Sequence, residues 1–380
     1  MKKKIIGLVF TVALMLTSVI TAFSQVDVSA QSAVLMCADN GRILVNKNGA
    51  KQLPMASTTK IMTSLLALEA AVPEKEITVT HEMVAVEGTS MGLVEGDSVS
   101  VNELVYGMLL QSGNDAANTV AYVVGGSPEG FAELMNKRAA EIGMVNTNFV
   151  TASGLDHENH YSTAYDMALL ACESLKNPEF AEICSKKNAK LTYGNPPYER
   201  TLTNHNRLLW RYDDSVGIKT GFTKKSGRCL VSAAERNGIT LVAVTLNAPD
   251  DWDDHIRMFD YGFSVCEGVS ADIDAGVVRV VGGEKSSAKL KLAYYPTLIK
   301  GEKCCYKLFL RPFEYAPIKE GAVIGKAVFI SDDKIIREVP VITAESVERK
   351  FAPPQAEPKG LFSYLLEEIK VFFRGEPIGR

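Results

Sequence analysis

Two strand-like stretches bracket a helical middle, and that order constrains the fold of this chain more than any other feature. Near the N-terminal end, Ser32-Ala-Val-Leu-Met-Cys37 and Arg42-Ile-Leu44 flank Asp39-Asn40-Gly41, a strand–turn–strand signal. On the far side, Leu230–Ser232 and Leu241–Val244 flank Asn237-Gly238, which reads as a hairpin spanning about Leu230 to Asn247. Between them, residues from Ser57 to about Ala71 contain no Gly or Pro. Ile61, Met62, Leu65, Leu66 and Leu68 make that helix apolar on most sides, so it should be buried. Helical patterns recur at about 102–124, 129–143 and 163–175, the last opening with Thr163-Ala-Tyr-Asp166 as a capping box. Strands, helices and strands again predict one α+β domain with an antiparallel sheet whose two ends come together.

After about Val269 the texture changes to short alternating runs, such as Ala288–Leu292 and Tyr306–Leu310, punctuated by Gly and Pro. This predicts a small all-β domain over 268–350. A linker follows, with Pro353, Pro354 and Pro358, and then Gly360–Arg374. In that tail, Ser363, Glu367, Lys370 and Arg374 fall on one helical face and Leu, Ile and Phe cover the rest. A helix of ~15 residues is roughly 22 Å long, too short to span a bilayer but suited to lie in its surface. Segment 351–380 is therefore expected to be a linker and an amphipathic membrane anchor. At the other end, three lysines after Met1 precede an apolar run from about Ile5 to Phe23, the pattern of an export signal over 1–30. Small residues suit cleavage after Ser24 or after Ala30. The first domain is then expected over 31–267.

A net charge of −4, from 41 basic and 45 acidic residues, is not the footprint of a nucleic-acid binder. The 380 residues are ample for a core without metal or disulfide staples. The seven cysteines show no C-x-x-C and read mostly as small buried apolar residues. His157 and His160 make H-x-x-H, but in a loop and without H-E-x-x-H, so a hydrogen-bonding role is expected rather than a metal. No cofactor is implied.

Three short motifs carry the chemistry. Ser57-Thr-Thr-Lys60 opens the buried helix, where residues i and i+3 share a face. A serine hydroxyl is a poor nucleophile until a base takes its proton, and a lysine whose pKa is depressed can do that. The Ser57 N–H at a helix start can face a developing oxyanion. Ser112-Gly-Asn114 interrupts an apolar helical pattern with a second hydroxyl, to relay protons, and an amide, to hold a carbonyl. Lys219-Thr220-Gly221, followed by Phe222 and Thr223, offers a cation, hydroxyls and an uncrowded strand edge. Lys219 and the Thr220 and Thr223 hydroxyls suit a substrate carboxylate, and the Phe222 N–H a second oxyanion donor. Each motif is common taken singly, and the first two also have a plain reading: an N-cap serine with a solvated lysine, and a turn between helices.

S-x-x-K, S-x-N and K-T-G in that order are the set found in serine β-lactamases and penicillin-binding proteins. Their spacing resembles the low-molecular-mass penicillin-binding proteins, the serine D-alanyl-D-alanine carboxypeptidases. The flanks Pro54–Thr63, Gly154–Asp166, Asn206–Leu209 and Tyr261–Phe263 are similar to that family too. The resemblance implies a helical cluster on a five-stranded antiparallel sheet, followed by the small β-domain and the anchoring tail. It implies Ser57 as acyl-enzyme nucleophile, Lys60 as general base, Ser112 and Asn114 as aids to proton transfer and substrate holding, and Lys219, Thr220 and Gly221 as the opposite wall. Peptidoglycan stem peptides are then the substrate and β-lactams covalent inhibitors, acting outside the cytoplasmic membrane. A D,D-endopeptidase acting on cross-links, or a catalytically silent penicillin-binding sensor, is the alternative. One departure stands out: many relatives carry an arginine before the final helix, near the substrate carboxylate, where this chain reads Pro249-Asp-Asp-Trp-Asp-Asp-His-Ile-Arg257.

Overall fold

All six residues of β1 (Ser32–Cys37) are buried, which a strand achieves only when both faces of its sheet are covered. It pairs antiparallel with β2 (Ile43–Lys47) on one side and with a strand some 200 residues later on the other. With β3 (Ser215–Thr223), β4 (Gly227–Arg236) and β5 (Ile239–Leu246), the sheet runs in the order β2-β1-β5-β4-β3, antiparallel throughout. The chain's two strand-like ends meet at β1 and β5, as the element order predicts. Asn237 and Gly238 turn the β4–β5 hairpin, both at positive φ (53° and 76°), the conformation a two-residue type I′ turn demands.

The computed structural model describes residues 26–70, 76–268 and 273–350. They divide into two units, 26–268 with Tyr295–Glu302 and 273–294 with 303–350. Tyr295–Glu302 belongs to the first unit because Thr297–Ile299 pairs with Cys266–Gly268. The expected export signal and the expected tail anchor lie outside the described residues, except for 26–30. Those few are part of the fold. Val28 and Ala30 are buried beside Met258 and Phe259, and Ser29 Oγ donates to Asp254 Oδ2 at 2.7 Å. The folded domain therefore starts ahead of residue 31, and cleavage after Ala30 would strip two core residues.

The strand alternation sorts the core into two layers. Val34, Met36, Val231, Ala233, Val242 and Val244 face the helical cluster. Leu35, Leu230, Ala234, Leu241 and Ala243 face the last helix of the unit. The helices are α1 (Lys60–Glu69), α2 (Val101–Leu110), α3 (Asn114–Gly125), α4 (Pro128–Ile142), α5 (Ala164–Ser174) and α6 (Asp251–Val265), with shorter pieces between. The pattern over 102–124 is thus two helices, divided at Gln111–Gly113. At the start of α5 only half of the expected capping box forms. Thr163 accepts from the Asp166 N–H, while the Asp166 carboxylate reaches the Asn146 N–H and the Thr147 hydroxyl. A hairpin of Asn188–Gly194 and Pro197–Thr203 was not foreseen.

The second unit is a six-stranded sheet containing the two predicted alternating strands, Ser287–Leu292 and Cys305–Leu310. Cys37, Cys184, Cys229 and Cys266 are buried thiols, as expected of small apolar residues.

Candidate active site

A single 3-10 turn, Ala56–Thr59, delivers Ser57 to the mouth of α1, so that Lys60 begins the helix one turn below it. Ala56 sits at φ 48°, in a region that costs a non-glycine residue of order 1 kcal/mol or more. The turn is held from beneath. His160 Nδ1 accepts the Val150 N–H at 2.9 Å, so its Nε2 carries the proton and donates to Thr59 Oγ1 at 2.8 Å. Thr59 Oγ1 in turn donates to the Ala56 carbonyl at 2.8 Å. Burial, then the neighbouring His157, pushes the His160 pKa down to about 4 and keeps it neutral. Both ring nitrogens are thereby committed to the protein, which is the hydrogen-bonding role expected of this loop.

Lys60 is completely buried. Its Nζ lies 2.9 Å from Ser57 Oγ, 2.7 Å from Asn114 Oδ1 and 2.6 Å from the Ser153 carbonyl. Asn114 cannot turn its amide around, because Nδ2 donates to the Glu87 carbonyl at 2.6 Å. Two fixed acceptors therefore take two N–H bonds, and the third direction from Nζ points at the serine oxygen. A neutral amine fits this cage, with its lone pair toward the Ser57 O–H. The electrostatics favour that form. Burial, and then the positive charge of Lys219, lowers the Lys60 pKa well below its ordinary value, against a weaker opposite pull from Asp115.

Ser112 and Gly113 make the turn between α2 and α3, with Ser112 at φ 62°. The turn is anchored when the Thr89 hydroxyl donates to the Ser112 carbonyl at 2.6 Å. Asp115, next to Asn114, was not singled out from the sequence, yet it organises this wall. Its carboxylate accepts the Met91, Gly92 and Leu93 N–H groups and the Ser90 hydroxyl.

On the other side β3 runs as the edge strand of the sheet. A Cβ on Gly221 would stand 3.0 Å from the Met55 carbonyl and 3.1 Å from the Ser57 and Thr58 nitrogens. Only glycine lets the strand lie this close to the nucleophile turn. Lys219 is buried beneath it, Nζ donating to the Thr220 carbonyl at 2.8 Å, and burial lowers its pKa to about 7. Thr223 is less available than the sequence implies, since its hydroxyl contacts Asp156 Oδ1 at 2.9 Å and accepts the Ser226 N–H at 2.9 Å.

Ser57, Ser112, Thr220, Gly221 and Phe222 line one cleft of about 370 Å³. Its rim carries three basic side chains that sequence reasoning missed: His205, Arg207 and Arg228. Arg257 is not among them; it bonds the Asp254 carboxylate and the Asp27 carbonyl. Among the described residues no group of acidic, histidine or cysteine side chains is placed to hold a metal ion.

A helical cluster on a five-stranded antiparallel sheet, with a buried lysine under a serine at their junction, defines a serine acyl-transfer enzyme of the β-lactamase and penicillin-binding class. A family model described as D-alanyl-D-alanine carboxypeptidase matches residues 19–250, and one for the C-terminal domain of penicillin-binding protein 5 matches 269–349. The D-alanyl-D-alanine carboxypeptidase DacC of Escherichia coli is 35% identical over 85% of this chain and 85% of its own length. DacF of Bacillus subtilis is 32% identical over 86% and 88%. Penicillin-binding protein 5 of Haemophilus influenzae superposes with a TM-score of 0.64 at 30% identity, over 85% of this chain and 98% of that one. The chain belongs to the D-alanyl-D-alanine carboxypeptidase family.

Proposed function

We propose that this protein removes the terminal D-alanine from peptidoglycan pentapeptide stems through an acyl-enzyme on Ser57. The observation that carries the reading is the 2.9 Å approach of a fully buried lysine amine to the Ser57 hydroxyl. Lys60 takes the Ser57 proton as Oγ bonds the carbonyl carbon of the penultimate D-alanine. The Ser57 and Phe222 N–H groups receive the oxyanion. The C–N bond breaks as the leaving amine gains a proton, relayed through Lys60 and the Ser112 hydroxyl, and D-alanine departs. Water then gains access to the ester, gives a proton back to Ser57, and frees the shortened peptide as its acid. Asn114, Thr220 and the β3 edge hold the substrate. A β-lactam follows the first half of this course, but its amine stays tethered over the ester, so the adduct persists. Intact motifs argue against a silent sensor, and the relatives are carboxypeptidases rather than endopeptidases.

The test is D-alanine release from a pentapeptide muropeptide, read by mass spectrometry with and without benzylpenicillin. Loss of one alanine, abolished by the drug, is the expected result. Cleavage of cross-linked dimers with pentapeptides untouched would replace the reading by the endopeptidase one.

We also propose that the enzyme works on the outer face of the cytoplasmic membrane, tethered through the amphipathic segment within 351–380. Among the described residues no helix is long and apolar enough to cross a membrane. A chain ending at residue 359 should leave the membrane fraction of cells; continued sedimentation with membranes would remove the C-terminal tether.

A further inference from the structure

A peptidase that removes one terminal residue must read the free carboxylate that marks the chain end. Of the groups expected to do so from the sequence, Thr220 brings only a neutral hydroxyl to the cleft, and the others are held by the protein. Lys219 is buried, and its Nζ is already bonded to the Thr220 carbonyl. The Thr223 hydroxyl is engaged by Asp156 and Ser226. Arg257 is held elsewhere by Asp254.

Resting on the carboxypeptidase reading, we propose that Arg228 binds the terminal carboxylate of the substrate, and that Asp251 and Trp252 are the residues that position it.

Arg228 lies on β4 directly opposite Phe222 of β3, and both line the cleft with Ser57 and Thr220. Paired residues of antiparallel strands project from the same face with Cβ atoms ~5 Å apart. The Arg228 side chain thus stands beside the strand edge whose Phe222 N–H faces the scissile carbonyl. The terminal carboxylate belongs to the next residue along, one Cα step of ~3.8 Å away. The guanidinium is already oriented. Nε and Nη2 both donate to Asp251 Oδ1, at 3.0 and 2.7 Å. The group also lies 5.4 Å from the Trp252 ring centroid. Asp251 is buried, and its Oδ1 also accepts the Trp252 N–H at 2.9 Å. A guanidinium has five N–H donors. Asp251 engages two, on Nε and Nη2, and the end formed by Nη1 and the second Nη2 hydrogen can meet a carboxylate in the paired geometry that arginine offers and lysine does not. Arg207, the other arginine on the rim, is exposed and has no such brace among the described residues.

The experiment uses the full chain and two matched pairs of compounds. One is an acyl-D-Ala-D-Ala peptide and its C-terminal amide, read as kcat/KM. The other is benzylpenicillin and its methyl ester, read as the rate of Ser57 acylation. In the unaltered protein the free acid of each pair should react faster. Arg228→Gln should lower kcat/KM for the acid roughly 10- to 100-fold, mainly through KM, while the amide and ester rates stay within about twofold. Arg228→Lys should recover part of the preference, and Asp251→Asn should weaken it without abolishing it. An equal fall for acid and amide would make Arg228 a structural residue and overturn the proposal. So would an undiminished preference in Arg228→Gln, or its collapse in Arg207→Gln instead. If the unaltered protein released no D-alanine, the carboxypeptidase reading would fall, and the penicillin pair would still decide what Arg228 binds.

Discussion

Lys60→Met should leave a folded protein that reacts with benzylpenicillin about 10³- to 10⁴-fold more slowly, with D-alanine release falling in parallel. Methionine keeps the unbranched shape of the side chain but brings no base. The same change strands the Asn114 Oδ1 and Ser153 carbonyl acceptors that Lys60 now satisfies, at roughly 1–3 kcal/mol for each buried acceptor. Against this runs a gain, because a buried amine with a depressed pKa is itself a cost to the fold. Thermal unfolding should therefore move far less than the acylation rate, measured by intact mass over time. Acylation at the parent rate would remove Lys60 as the base. The pH profile of the unaltered protein gives a second reading of the same residue. Acylation needs the neutral amine, so the rate rises as Lys60 loses its proton. Burial and the Lys219 charge lower that pKa, so the rise should finish well below the ordinary lysine value of 10.5. A rise centred at 10.5 would mean that the cage does not tune Lys60. Ser57→Ala sets the floor for both assays, with no covalent adduct at all.

What could be read from the sequence was local. Ser57 and Lys60 are one helical turn apart, and Lys219-Thr220-Gly221 is a strand edge whatever surrounds it. Motifs of that kind survive without knowledge of tertiary contacts. The antiparallel sheet was legible for a related reason: strand-like runs with an Asn-Gly turn need no partner to be recognised. The rest of the cage is made by backbone or by distant pairs. The Ser153 and Glu87 carbonyls that hold Lys60 and Asn114 carry no side-chain signature. Arg228 becomes notable only when the fold places Asp251 and Trp252 of α6 beside β4. Asp115 stands inside the Ser-Gly-Asn-Asp cluster, but its acceptors' partners lie more than 20 residues back, at Ser90–Leu93. The helical reading of 102–124 ran through Gln111–Gly113 because the apolar period resumes on the far side. The left-handed Ser112 that breaks it is a conformation few residues adopt.

That Ser112 and Ala56 both hold positive φ on either side of the cleft implies that the surrounding structure forces them there. For Ala56 the forcing element is identifiable. Gly154, at φ 84°, lies so close under the nucleophile turn that a Cβ on it would stand 1.9 Å from the Ala56 carbonyl oxygen and 2.8 Å from Thr59 Oγ1. Its neighbours complete the clamp. The Ser153 carbonyl holds Lys60 at 2.6 Å, and the Ala152 carbonyl accepts the Thr63 hydroxyl at 2.6 Å. Gly154→Ala cannot be absorbed by rotating a side chain, because backbone faces backbone. Either the loop moves away from α1 or the turn bearing Ser57 moves toward the cleft. Both pull the Ser153 carbonyl from Lys60 and disturb the line from Nζ to Ser57 Oγ. The left-handed φ adds its own strain for alanine. The expected outcome is a loss of roughly 3–5 kcal/mol of stability, a fall in Tm on the order of 10 °C for a domain of this size, and penicillin acylation at least about 100-fold slower even well below the new Tm. Gly143→Ala provides the contrast: it also has a positive φ, 91°, but nothing within 4 Å of the added carbon. It should lose only about 1 kcal/mol and keep its acylation rate. If Gly154→Ala behaved like Gly143→Ala in both measurements, the loop would not be what holds Ser57 over its base.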